Sequence, residues 1–260
     1  MKLGIVTYQI ASEWDIETII EKCEELGYQG VELRTTHKHG VEVNLTKEER
    51  ENVRKKFENS KVKLVGLGSI FEFHSPDKEE LRKNIEGSKE YIILARDVGA
   101  EGIKVRPNAF PEGIPKEKTI QQIGESLREV AEFGSRYGIK VRLEVHGYET
   151  SHPPYIKKMV DIANHPNLFV CWNSNMTDID KNGSIEGNFN LLKDKIEIVH
   201  INELWNEYPW ITLFRLLKEM NFSGFCLAEI PSSPEPERLL RYYKALFESY
   251  AELAELQIKK

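Results

Sequence analysis

The chain has 260 residues, 40% of them hydrophobic and 30% charged, which is enough apolar content for a substantial core and excludes a mainly disordered polymer. Its 36 Lys and Arg against 42 Asp and Glu leave a net charge of −6, a poor balance for gripping a phosphate backbone, so nucleic acid is not expected as a partner. No apolar run approaches a membrane span, and the first residues lack the pattern of a secretory signal, so the expected setting is cytoplasmic, away from a membrane.

Short β-branched runs alternate with longer amphipathic stretches. The expected strands are Leu3–Tyr8, Gly30–Arg34, Val62–Ser69, Gly102–Arg106, Ile139–His146, Leu168–Asn173, Ile196–Asn202 and Gly224–Ile230. Between the first two, Ile16, Ile19, Ile20, Cys23 and Leu26 recur at helical spacing. Thr46 and Glu49 form a capping box for the second helix, and Ser75 with Pro76 is expected to open the third. Ile120, Ile123, Leu127, Val130 and Phe133 mark the fourth helix, and the series from Leu239 to Leu253 marks the last. Helix-to-strand joints are short and carry Gly27, Gly99 and Gly138. Strand ends recur about every 32 residues, so eight units fill positions 1–260 as a single (β/α)8 TIM barrel of class α/β. A doubly wound open sheet is the competing architecture. It usually places a glycine-rich phosphate loop after its first strand, and residues 8–14 contain no glycine.

Side chains alternate along a strand, so one set faces the barrel interior. The pattern sends Glu32 and Arg34, Lys104 and Arg106, Arg142, Glu144 and His146, Asn173 and Asn175, His200 and Asn202, and Glu229 inward. Interior charges are costly unless paired, coordinated or wetted. Polar ends on six strands therefore point to a site at the carboxyl mouth, where barrel enzymes keep their chemistry. The deeper Glu32, Lys104 and Arg142 are equally well read as a buried salt-bridge layer, with Lys104 the partner of Glu32. Carboxylates with an imidazole and an amide oxygen suit a divalent cation such as Mn²⁺ or Mg²⁺, with Zn²⁺ or Co²⁺ as alternatives. Trp14, Trp205 and Trp210 fall in expected loops near the mouth and could stack on a sugar ring; Trp172 is expected to pack against helices. His37 and His39 read as part of a polar loop. Cys23, Cys171 and Cys226 are odd in number and scattered, and read as buried thiols.

Five segments carry a family resemblance: Val31–Leu33, Leu143–Gly147, Val170–Asn175, Val199–Glu203 and Leu227–Glu229. In order and spacing they are similar to the xylose-isomerase-like barrels, which include sugar and sugar-phosphate isomerases and epimerases and inosose dehydratases. The resemblance covers essentially the whole chain. It implies a divalent-metal site of Glu144, Asn173, His200 and Glu229, with Glu144 and Glu229 also moving a proton between adjacent carbons through an enediolate. It implies a small-molecule carbohydrate partner, contacted by His146, Arg106, Asn175, Glu203 and Trp14; whether a homo-oligomer forms is left open. Two positions depart from the family pattern: Asn173 stands where an Asp is usual, and Met176 where a His often follows. An amide oxygen ligates a hard cation more weakly than a carboxylate, so looser metal binding is expected, with His146 or Asp178 as substitute ligands. A polyol or keto-sugar dehydratase, with Glu203 or His146 as acid, is the alternative reaction. An abasic-site nuclease of the same fold would need more histidine ligands and a DNA-binding face. A metal-free carbohydrate-binding barrel without turnover is the non-enzymatic alternative.

Overall fold

The computed structural model describes residues 1–259. Its strands are β1 (Lys2–Val6), β2 (Gly30–Arg34), β3 (Lys63–Glu72), β4 (Gly102–Arg106), β5 (Lys140–Glu144), β6 (Leu168–Asn173), β7 (Ile196–Ile201) and β8 (Phe225–Ala228). The helices between and after them are α1 (Ile16–Leu26), α2 (Lys47–Glu58), α3 (Lys78–Val98), α4 (Lys116–Ser135), α5 (Pro153–Ala163), α6 (Glu186–Leu192), α7 (Trp210–Glu219) and α8 (Pro236–Ile258). Every strand pairs in parallel with its neighbours in sequence, and β8 closes on β1, giving a single (β/α)8 barrel. No helix among the described residues is long and apolar enough to cross a membrane.

The local signals explain most element ends. Thr46 and Glu49 make the reciprocal capping box expected of α2. Gly27 and Gly99 take left-handed φ at the ends of α1 and α3, which lets the chain turn directly into the next strand. The cap of α3 differs from expectation. Asp77, two residues beyond Ser75, accepts from the Glu79 and Glu80 amides, while Ser75 donates to the Glu80 carboxylate. A carboxylate nearer the first turn is the better partner for its free amides. β3 also runs three residues past Ser69. Phe71 there packs edge-on against Tyr91, their centroids 5.2 Å apart, and Glu72 comes into register with Arg106.

Outward residues of the strands meet the helices in the main core, as with Val141, Leu143 and Val145. Trp172 lies there too, against Phe189 and donating to the Tyr208 hydroxyl at 3.1 Å. Trp210, expected at the mouth, is instead the first residue of α7 and is buried against Tyr208. The apolar pattern of α7 draws it into the core rather than onto a ligand. All three cysteines are buried and free.

Inside the barrel, Val6, Val65, Cys171, Ile198, Phe225 and Leu227 form a separate apolar cluster. At the amino-terminal end, Arg142 is fully buried, donates to the Val65 carbonyl at 2.8 Å and pairs with Glu197, which also takes Lys140 at 2.7 Å. Arg142 thus belongs to a buried ion layer. Gly66 makes room for it, because a β-carbon there would come within 2.6 Å of the Arg142 guanidinium. The polar rows toward the carboxyl end have a different arrangement.

Candidate functional site

A cavity of about 450 Å³ opens at the carboxyl mouth, lined by residues that include Arg34, Lys104, Arg106, Glu144, His146, Asn173, Asn175, Asn202 and Glu229. These are the inward positions of β2, β4, β5, β6, β7 and β8 or the residues just past their ends. The alternation that buries each aliphatic neighbour against a helix turns each of these side chains to the interior.

His200 is fully buried beneath the cavity and is the hub of the polar cluster. Its Nδ1 lies 3.4 Å from an oxygen of Glu144 and 3.4 Å from one of Glu229, while its Nε2 lies 3.3 Å from Glu32. Asn173 donates from Nδ2 to Glu144 at 3.2 Å. Lys104 donates to the other Glu144 oxygen at 2.6 Å, so its partner is Glu144 and not Glu32 as expected. The long Lys104 side chain reaches one row toward the mouth and onto the adjacent strand. Glu32 stays two strands away and turns to the imidazole.

Burial opposes the charged form of every group here, and the neighbours overcome it. Lys104, then His200, hold Glu144 well below the usual carboxylate range. His200 and Lys104 likewise depress Glu32. Burial disfavours the His200 imidazolium, but Cys171, Glu229 and Glu32 hold its pKa well above the ordinary value. Burial pushes the Cys171 thiol itself up to about 11, so it is neutral at pH 7 and the carboxylates carry that effect. Lys104 is raised as well, by Glu144, Glu32 and Glu229 acting against its burial.

This donor set fits a divalent cation. One ligand atom from each of Glu144, His200 and Glu229 lies within 4.8 Å of the others. On the side facing these ligands, His200 Nδ1 and the Asn173 Oδ1 are buried without a hydrogen-bond partner, which is unusual unless something else satisfies them, while His200 Nε2 is turned to Glu32. Charge agrees with geometry. Glu32, Glu144 and Glu229 against Lys104 leave two negative charges when His200 is neutral, the number a divalent ion cancels.

The expected site residues divide cleanly. Glu144, Asn173, Glu229, His146, Arg106 and Asn175 line the cavity, with His200 directly below. Trp14 and Glu203 do not line it. Trp14 packs against the core just before α1. Glu203 lies in the loop two residues past the end of β7. Trp205 is exposed. His39 is a loop clamp, its Nε2 2.8 Å from the Arg34 carbonyl and its Nδ1 accepting from the Val41 amide at 3.0 Å. Tyr8 and Gln9, from the loop after β1, and Ile230 and Pro231, after β8, complete the wall. The expected first and eighth strands ran to Tyr8 and Ile230, but β1 ends at Val6 and β8 at Ala228, so loops set the direction of these four residues. Glu72 was also missed, although the alternation in Ile70-Phe-Glu-Phe73 would have extended β3 to reach it. It holds Arg106 and accepts from Asn108 at 2.5 Å.

Asp178, a possible substitute ligand by sequence, lies away from this cluster. Its carboxylate accepts from the Tyr208 hydroxyl and the Asn175 amide, both at 2.9 Å. Burial pushes its pKa up to about 8 against the pull of those two donors. The folded protein therefore keeps this proton between about pH 4 and pH 8, where the unfolded chain has lost it. The resulting stability is complete below about pH 4 and is lost as pH rises through about 8. Asp178→Asn keeps the neutral shape without the titration. The wild-type advantage over it should shrink by about 1 kcal/mol per pH unit between pH 5 and 8 in denaturant unfolding; an advantage independent of pH would contradict the protonated state.

Comparison with curated proteins gives no match. Among solved structures, the chain superposes on an L-ribulose 3-epimerase with a TM-score of 0.82 at 15% identity, covering 100% of this chain and 97% of that one. It superposes on a 3-keto-D-glucoside 4-epimerase from E. coli with a TM-score of 0.80 at 15% identity, covering 96% and 99%. An IOLI protein with a bound zinc atom gives a TM-score of 0.75 at 18% identity, covering 98% of each chain. At such identities the superpositions speak to fold alone. The family described as xylose isomerase-like TIM barrel matches residues 20–248, nearly the whole barrel. The chain belongs to the xylose isomerase-like TIM barrel family.

Proposed function

We propose that this barrel is a divalent-metal-dependent isomerase or epimerase of a sugar or sugar derivative. The observation that carries this reading is the placement of Glu144 and Glu229. They come from different strands, converge on one imidazole nitrogen at 3.4 Å each, and both open onto the same cavity. Two carboxylates facing one small space are what proton removal and return at a carbon centre require. The epimerases among the structural neighbours are in keeping with it.

A divalent cation held by Glu144, Asn173, His200 and Glu229 would polarise a substrate carbonyl and its neighbouring hydroxyl. Mn²⁺ or Mg²⁺ suits the oxygen donors, and the imidazole also admits Zn²⁺ or Co²⁺. Glu229 is the freer base. It sits at the rim, while Glu144 is held by Lys104 and Asn173. Glu229 takes the proton from the carbon next to the carbonyl; the C–H bonding pair becomes the new carbon–carbon double bond and the carbonyl π pair moves onto its oxygen, giving the enediolate. Return of that proton by Glu229 to the adjacent carbon gives the isomer; delivery of a proton to the opposite face through Glu144, which would first draw one from the Lys104 ammonium 2.6 Å away, gives the epimer. Asn175, Asn202 and Gln9 offer the wall polar groups for hydroxyls. A dehydratase is the second reading, favoured by His146. Its Nδ1 is buried without a partner on the cavity wall, where it could assist a departing hydroxyl.

The test is solvent exchange. The Mn²⁺-supplied protein is incubated in D₂O with a panel of aldoses, ketoses and their acids and phosphates. Deuterium should enter the carbon next to the carbonyl of at least one member, with an isomer or epimer as product. A dehydrated product would select the second reading. Binding with no deuterium incorporated anywhere would leave a carbohydrate-binding barrel without turnover.

A further inference from the structure

The cavity is electrically polarised. Its carboxylates, Glu144 and Glu229, stand with β5 and β8, while its cations, Arg34, Lys104 and Arg106, stand on β2 and β4. The strand between those two cationic strands presents glycine inward. A β-carbon at Gly68 would meet the Glu32 carboxylate at 2.8 Å and the Arg34 Cα at 3.4 Å. No side chain at that position screens the two arginines from each other or from the cavity.

Two of the three cations are already engaged. Lys104 pairs with Glu144, and Arg106 with Glu72. Arg34 makes no ion pair among the described residues. Its Nη1 donates to the Thr35 carbonyl at 2.8 Å and to the Thr36 hydroxyl at 3.1 Å. Its guanidinium carbon lies 5.6 Å from the centroid of the Tyr8 ring, another cavity residue. These contacts fix the plane of the fork along one edge and leave Nε and Nη2 without partners. Arg106 Nε is likewise buried and unpartnered.

A guanidinium held on one edge and set over the face of an aromatic ring is preorganised to grip an oxyanion with the other. A neutral polyol gives such a group nothing that the Asn and Gln side chains of the wall do not already offer. We propose that the ligand of this cavity carries a phosphate or carboxylate at the end remote from its reacting carbons, and that Arg34 anchors this group with Arg106 beside it. The inference rests on reading the cavity as a sugar-transforming site, but it concerns residues outside the Glu144–His200–Glu229 cluster and is tested separately from it.

Calorimetric titration of the full-length, chelator-treated chain at constant ionic strength supplies the test. The phosphate arm uses inorganic phosphate and D-fructose 6-phosphate; the carboxylate arm uses acetate and D-gluconate; D-fructose is the neutral control. One arm should bind at one site per chain at least tenfold more tightly than D-fructose, and the arm that does identifies the substituent. Arg34→Gln should lose tenfold or more of that preference, with its thermal unfolding showing that it is folded. The proposal is overturned if neither arm exceeds the neutral sugar on the wild type, or if a folded Arg34→Gln keeps the full preference. Mn²⁺ titrations of both proteins separate the two claims. An anion preference without Mn²⁺ binding would sink the metal-dependent reading and leave the anion site standing; Mn²⁺ binding without an anion preference would do the reverse.

Discussion

Replacing Glu229 with Gln should lower deuterium exchange into the substrate by about 10²–10⁴-fold at saturating Mn²⁺, the range expected for loss of a positioned general base. The amide keeps the size and the oxygen donor of the carboxylate but cannot accept the proton. Saturating metal separates that loss from weaker coordination. Stability should change little, because Glu32 and Glu144 still flank His200 when the Glu229 charge is gone. Exchange measured by NMR on the sugar labelled by the wild type, beside thermal unfolding of both proteins, checks both parts. A variant that exchanges at the wild-type rate would remove Glu229 from the mechanism. A variant that loses exchange only because it unfolds would show in the second measurement.

The second large effect concerns Lys104. Its side chain is 6% exposed and its ammonium is the cation that compensates Glu144 inside the barrel. Lys104→Met fills similar volume but leaves buried carboxylates without that partner. Breaking a buried ion pair from one side typically costs about 3–5 kcal/mol, and the metal-free variant should lose stability of that order. Mn²⁺ should then restore more stability to the variant than it gives the wild type. With Lys104 gone the site is one charge more negative, so Mn²⁺ should bind about tenfold more tightly or better, and tighter binding to the folded state raises stability by mass action. Denaturant unfolding with and without Mn²⁺, with calorimetric affinities for both proteins, reads the effect. Equal affinities would show that Lys104 does not share the field of the metal site.

These expectations depend on features that the sequence discloses unequally. The period of two along each strand was enough to place Glu32, Arg34, Lys104, Arg106, Glu144, His146, Asn173, Asn175, His200 and Glu229 on the inner face. Alternation fixes the face of a side chain whatever the neighbouring strand does. It does not fix which inner residue meets which. That depends on the stagger between strands and on side-chain reach, and it is why Lys104 finds Glu144 rather than Glu32. Loops obey neither rule. Tyr8 and Gln9 reach the cavity, while Trp14, a few residues further along, packs against the core. Trp210 is buried because the residues following it form an amphipathic helix whose apolar face includes it. Glu203 misses the cavity from a loop position, two residues beyond the end of β7, where the loop and not alternation sets its direction.

Asn173 is the residue on which the metal-dependent reading turns. Its Oδ1 is buried without a partner, and its amide nitrogen lies against Glu144. Two carboxylate ligands with a neutral amide and imidazole would cancel a divalent charge without excess, leaving the ion more electron-withdrawing than three carboxylates would. The direct measurement is an anomalous-difference map from crystals of this protein grown with Mn²⁺. A single strong peak bounded by Glu144, Asn173, His200 and Glu229 is expected, with Lys104 remaining on Glu144. No peak there at millimolar Mn²⁺, with His200 still lying between the three carboxylates, would contradict the metal-dependent reading.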